Sequence, residues 1–187
     1  MKQRAEIMLT VADLDLMPED DNRYEVIDGD LHVSTAPSYH HQHCLGELFG
    51  RMFIYLQEQP LGQVMFGVGV IFDEFNGVIP DLVYFSNERK KRIGGVKLTG
   101  APEIVVEVLS PGQKNEQRDR KVKRRLYSEN GVSEYWIMDP EGRTVEVHRA
   151  SKTGGFRSKV VLHEGDRLTT ALLPGFQVEV GTLFVKD

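Results

Sequence analysis

The chain has 187 residues, 40% of them hydrophobic and 27% charged, with a formal net charge of −5 and one cysteine. That size suits one domain, 1–187, with a substantial core, and these ordinary proportions exclude a fibrous, disordered or membrane-embedded chain. No apolar run reaches the 18 or so residues of a membrane span, residues 1–15 lack a signal peptide's apolar segment, and the lone Cys44 excludes an internal disulfide. The expectation is therefore a cytoplasmic protein with a reduced, structural thiol.

In chain order, Thr10 followed by Asp13 resembles a helix cap, opening a short helix to about residue 17 that Pro18 ends. Residues 23–27, the Asp28-Gly29 pair and residues 31–34 read as a hairpin, because Asp-Gly supplies the positive φ of a two-residue turn. Glu25 lies on its first strand, where an exposed strand residue is the plain alternative. Pro37-Ser38 opens a longer helix to about residue 59, with Leu45, Leu48, Phe49, Met52, Phe53 and Leu56 at helical spacing. His40, His41 and His43 occupy its first turns. No cysteine or HExxH pattern accompanies them, so they read as polar groups at a helix N-terminus rather than zinc ligands.

Residues 63–72 read as one strand, with Gly67 and Gly69 marking a bend, residues 74–77 as a turn, and residues 79–85 as the next strand. That strand carries Asp81 at its start. Residues 87–100 form a polar, glycine-containing loop expected to be the mobile segment. Residues 104–109 then make an apolar run of the kind buried on both sheet faces, interrupted by Glu107. A glutamate rarely enters such a strand unless paired, protonated or bound to a metal.

The following helix can be tested by placing residues about 100° apart. Asp119, Val122, Lys123, Leu126 and Tyr127 share one face; Arg118, Arg120, Lys121, Arg124 and Arg125 take the solvated arc. Lys123 thus points with the apolar residues toward the sheet that carries Glu107. Residues 133–138 and 144–148 form a hairpin, 156–162 a further strand, and 169–187 a mixed tail. The order implies a mixed α/β (α+β) domain: a central mixed β-sheet flanked by helices, with additional C-terminal β-hairpins.

Charge is uneven along the chain. Residues 1–35 hold nine acidic and three basic side chains, residues 114–125 seven basic and two acidic ones, and Arg89, Lys90, Lys91 and Arg92 form a second basic run. Such runs can attract phosphate on an acidic protein, although a solvated helix face is the plain alternative.

Phosphodiester hydrolysis needs charge neutralisation, a positioned water and a stabilised leaving oxygen, and carboxylate-held magnesium supplies most of this. Asp81 and Glu107 are the pair to hold the metal. Lys123, with a pKa lowered by burial, would orient or activate the water. A Glu107–Lys123 salt bridge with only a structural role would explain both oddities equally, and spacing alone leaves that open.

The segments YEVIDGDL, APSYHHQ, IPDLVYF, PEIVVEVLSPG, DRKVKRRLY and GVSEYWIMDP occur in this order over residues 24–140. As a set they resemble the Uma-type restriction endonuclease family of the PD-(D/E)XK nuclease superfamily. The resemblance implies a restriction-endonuclease-like fold and cleavage of DNA with Mg2+, or Mn2+ as a substitute. It places Pro80-Asp81 at the PD position and Glu107 at the second acidic position. Glu25 matches the glutamate of the family's YELIDG-like segment, His41 its His-Gln pair, and Asp119, Lys123 and Tyr127 its D-x3-K-x3-Y helix. The sequence departs from the superfamily at Leu109, where the usual lysine stands, so Lys123 must reach the site from the helix. Two-fold DNA invites a homodimer. The alternative is a non-catalytic nuclease-fold module that binds nucleic acid or a protein.

Overall fold

The computed structural model describes residues 8–90 and 97–185. A 3-10 helix, Val11–Leu16, opens it, and the carboxylate of Asp13 accepts from Thr10 N and Oγ1, both at 2.7 Å, to close the expected cap. Strands β1 (Arg23–Ile27) and β2 (Asp30–Ser34) flank Asp28 and Gly29, whose φ values of 53° and 80° are those the turn demands. Helix α1 (Tyr39–Glu58) follows, capped by Ser38 Oγ, and buries Cys44, Leu45, Leu48, Met52 and Leu56.

The expected strand over 63–72 is two strands in two sheets. After β3 (Gly62–Phe66) the chain turns at Gly67, φ 61°, and β4 (Val70–Asp73) joins a different sheet. The turn expected at 74–77 is shorter, because Asn76 and Gly77 already belong to β5 (Asn76–Val78). The next strand, β6 (Leu82–Ser86), begins after Asp81 and frees that residue from the ladder. The loop expected over 87–100 contains a helical turn, α2 (Asn87–Lys90), and a short strand, β7 (Leu98–Thr99); its remaining residues, 91–96, with Lys91 and Arg92 of the second basic run, lie outside the described residues.

Strand β8 (Ile104–Val108) is buried throughout. A continuous helical stretch leaves it: α3 (Gln113–Gln117), a π-helical segment over Arg118–Lys123, and α4 (Arg124–Glu129). The chain then runs through β9 (Glu134–Asp139), β10 (Thr144–Ala150), β11 (Phe156–Leu162), β12 (Arg167–Thr169), β13 (Gln177–Glu179) and a closing 3-10 turn, Val180–Leu183.

The larger sheet runs β11-β10-β9-β8-β6-β3, and its one parallel pair, β8 with β9, is joined by the helical stretch. The second sheet runs β2-β1-β5-β4-β7, while β12 and β13 pair alone. Helix α1 covers one face of the larger sheet over Leu82, Tyr84, Val106, Trp136 and Met138. Leu126 and Tyr127 of the helical stretch and Ile27, Val70 and Val78 of the second sheet cover the other, over Val83, Val105, Tyr135 and Ile137. Glu107 alternates onto this second face, beneath the helical stretch and beside the second sheet. No helix among the described residues is long and apolar enough to cross a membrane.

Candidate active site

Strands β6 and β8 pair antiparallel, Leu82 opposite Val106 and Val83 opposite Val105, so one step further Asp81 falls opposite Glu107. This register brings together two carboxylates 26 positions apart. Asp81 Oδ2 accepts from Val108 N at 2.9 Å and lies 3.0 Å from His41 Nε2, while Oδ1 accepts from Arg23 at 3.2 Å.

The helical stretch supplies the other half. Lys123 Nζ lies 2.9 Å from Glu107 Oε1 and 2.9 Å from Glu25 Oε1, and Tyr127 Oη donates to Glu107 Oε1 at 2.6 Å. Glu25 Oε1 also accepts from Ile79 N at 2.7 Å. Asp119 is buried one turn before Lys123, and its carboxylate accepts from Arg118 Nε at 3.1 Å. Glu25, His41, Asp81, Glu107, Asp119, Lys123 and Tyr127 are therefore all buried, and all but Asp119, which pairs with Arg118, are linked through Asp81, Glu107 or Lys123. Leu109 packs into the core with Val105, Leu126 and Tyr127, and the ammonium beside Glu107 is that of Lys123 on the helical stretch.

The electrostatics correct one expectation. Burial alone would lower the Lys123 pKa, but Glu107, Glu25 and Asp119 outweigh it and hold the value above the ordinary lysine range. The protonated form of Lys123 is therefore favoured. Burial pushes Glu107 up to about 8 despite Lys123, with Asp81, Asp119 and Glu25 adding to the rise. For Asp81 burial is outweighed by His41, Val108 N–H and Lys123, which keep the carboxyl below its usual value. Two carboxylates on adjacent strands are thus driven apart in acidity.

A cavity of about 30 Å3, enough for a water-sized occupant, is lined by Arg23, Glu25, His41, Asp81, Glu107 and Lys123, and also by Arg118 and Ser110. Glu107 and Glu25 each keep one oxygen, Oε2, without a hydrogen bond among the described residues. Hard oxygen donors of this kind suit magnesium. Asp81 suits it only after giving up Arg23, because both its oxygens are engaged. Among the described residues no group of three or more histidine, cysteine, aspartate or glutamate side chains is disposed to hold a metal as it stands. The three early histidines do not converge: His41 faces Asp81, whereas His40 is exposed and His43 lies against Tyr39.

Arg23 and Arg118 went unread as site residues in the sequence. Arg23 stands two positions before Glu25, on the same strand face, and that alternation was the available signal. The basic helix arc is less free than expected. Arg120 binds Glu146 and Asp139, Arg125 binds Asp28, and Arg89 of the second run binds the carbonyls of Ala101 and Pro102 and the carboxylate of Glu103.

Beside this cavity opens a larger one of about 680 Å3, at the C-terminal ends of the parallel strands β8 and β9, lined by Ser38, His40, Leu109, Ser110, Pro111 and Asp139 among others. Ser110 borders both.

A family model described as "Uma2: Putative restriction endonuclease" matches residues 11–181. No curated protein matches the chain. Among solved structures, a crystal structure described as "a putative nuclease belonging to DUF820 from Anabaena variabilis ATCC 29413" is similar, with a TM-score of 0.76 over 94% of this chain and 97% of that one. At 18% identity that likeness concerns the fold.

Proposed function

The chain belongs to the Uma2 family and has a restriction-endonuclease-like fold, and from that premise we propose that it is a metal-dependent endonuclease hydrolysing phosphodiester bonds in DNA. The observation that carries this reading is Asp81 opposite Glu107 across β6 and β8, with Lys123 2.9 Å from Glu107 at one small cavity.

Magnesium, or manganese in its place, would be held by Asp81 and Glu107, and when bound it neutralises phosphoryl charge and acidifies a water. Lys123, protonated in this setting, stabilises negative charge on the phosphoryl oxygens. Glu25 and Tyr127 hold that ammonium and Glu107 in place. His41 orients Asp81, and Arg23 leaves Oδ1 when a ligand arrives. Glu107, whose proton is retained to about pH 8 in the free protein, must lose it before it can accept a cation. Cutting both strands of a duplex calls for two such cavities, so the working form in this reading is a homodimer in the cytoplasm.

Incubation with supercoiled plasmid is the test. Nicking or linearisation with magnesium or manganese, abolished by EDTA, is expected. A panel of duplex, single-stranded DNA and RNA then fixes the substrate. The full engagement of Asp81 by Arg23, His41 and Val108 favours a second reading, a non-catalytic nuclease-fold module. Absence of cleavage on every substrate, with salt-dependent nucleic-acid binding retained in EDTA, would select it.

A further inference from the structure

A further cavity, of about 310 Å3, lies on the other flank of the helical stretch, between it and strands β10 and β11. Glu146 and His148 alternate onto one face of β10 and are buried; Lys159 stands opposite His148 on β11, and Arg157, at a bulge where the pairing of β10 and β11 shifts register, also lines the cavity. Arg120 and Arg124, one helical turn apart, close the cavity from above. Four cations therefore line it against a single carboxylate, Glu146.

That carboxylate is already spent. It accepts from Arg120 Nε at 2.8 Å and from Lys159 Nζ at 2.7 Å. Arg124 and Arg157 have no carboxylate partner among the described residues; Arg124 Nε reaches only the carbonyl of Arg120, and Arg157 is exposed. His148 Nε2 is buried without a hydrogen bond, 3.7 Å from Glu146. Two guanidinium groups are thus presented over a floor that cannot neutralise them, which is the chemistry that recognises phosphate.

Position selects the source of that phosphate. Glu107 stands beside Ile137, which stands beside Glu146, so the carboxylate cavity and this basic one are two strand spacings apart, roughly 10 Å. Lys123 and Arg124 are neighbours in the chain, one facing each cavity. Successive phosphates of a nucleic-acid strand recur on this same scale of length, so one strand can meet both cavities.

We propose, resting on the nuclease reading, that Arg124 and Arg157 form a backbone-phosphate site that holds the substrate strand close to the bond to be cut. The test is binding of a short fluorescent DNA duplex in EDTA, followed by anisotropy over a salt series, for wild type and for the R124Q/R157Q variant, both checked by circular dichroism. Losing two phosphate contacts should weaken binding at low salt and flatten the slope of log affinity against log salt by about 1.8. Unchanged affinity and slope, with wild type still binding, would overturn this site and leave the nuclease reading untouched. Failure of wild type to bind any duplex would also overturn this site, while the nuclease reading is decided separately by the cleavage panel. Inorganic phosphate should displace the duplex from wild type better than chloride at equal ionic strength and lose that advantage in the variant; an equal advantage over chloride in both proteins would contradict the inference.

Discussion

Lys123 is held by carboxylates on two different sheets, Glu107 on β8 and Glu25 on β1, with Asp119 adding its charge from one turn before. Removing the ammonium leaves the buried Glu25 carboxylate without its cation. Lys123→Met should therefore cost on the order of 3–5 kcal/mol in urea unfolding at neutral pH, and combining it with Glu25→Gln should restore part of the loss. Glu107 sets a pH dependence of the opposite kind. Its folded pKa, pushed up to about 8, lies above that of the unfolded chain, so between the ordinary glutamate value and about 8 the folded protein keeps a proton the unfolded chain has released. Stability should fall as pH rises through that window, by at most about 1.4 kcal/mol per pH unit, and Glu107→Gln should remove this component. Urea titrations of both proteins at several pH values read the difference directly. Cys44 is a further check: buried in α1, with burial pushing its thiol up to about 11, it should resist alkylation in the native protein and react fully in urea.

Among the elements, the helical stretch between β8 and β9 does most to build the site. Its register was legible in the sequence because Asp119, Lys123, Leu126 and Tyr127 share a face under ordinary helical spacing, and all four are buried. The π-helical winding over Arg118–Lys123 left no such trace. Nor could periodicity separate β3 from β4, since Gly67 interrupts an apolar run without changing its alternation; only the pairing of β3 with β6 and of β4 with β5 divides it between sheets. The pairing of β3 with β6 is tight at one point. A Cβ on Gly62 would stand 2.1 Å from the carbonyl oxygen of Phe85 and 2.7 Å from the ring of Tyr84. Gly62→Ala should cost about 1–3 kcal/mol, seen as a shifted denaturation midpoint.

For the whole molecule, the decisive feature is that two sheets and two helical elements meet at one cavity: β1 brings Glu25 and Arg23, α1 His41, the approach to β6 Asp81, β8 Glu107 and the helical stretch Lys123. The order of motifs along the chain made those residues, Arg23 excepted, recognisable as a set. The pairing of Glu107 with Lys123 was legible too; the partners of Asp81 were not, because they depend on which strand ends lie side by side. The same crowding makes a structural salt bridge and a nuclease centre look alike at rest, and turnover separates them. The most direct measurement is the rate of supercoiled plasmid cleavage with magnesium for wild type, Asp81→Asn, Glu107→Gln and Lys123→Met, each confirmed folded. Metal-dependent cleavage by wild type that drops by two or more orders of magnitude in all three is expected. Cleavage that persists in folded Asp81→Asn and Glu107→Gln proteins would contradict the assignment of this cavity as the catalytic centre.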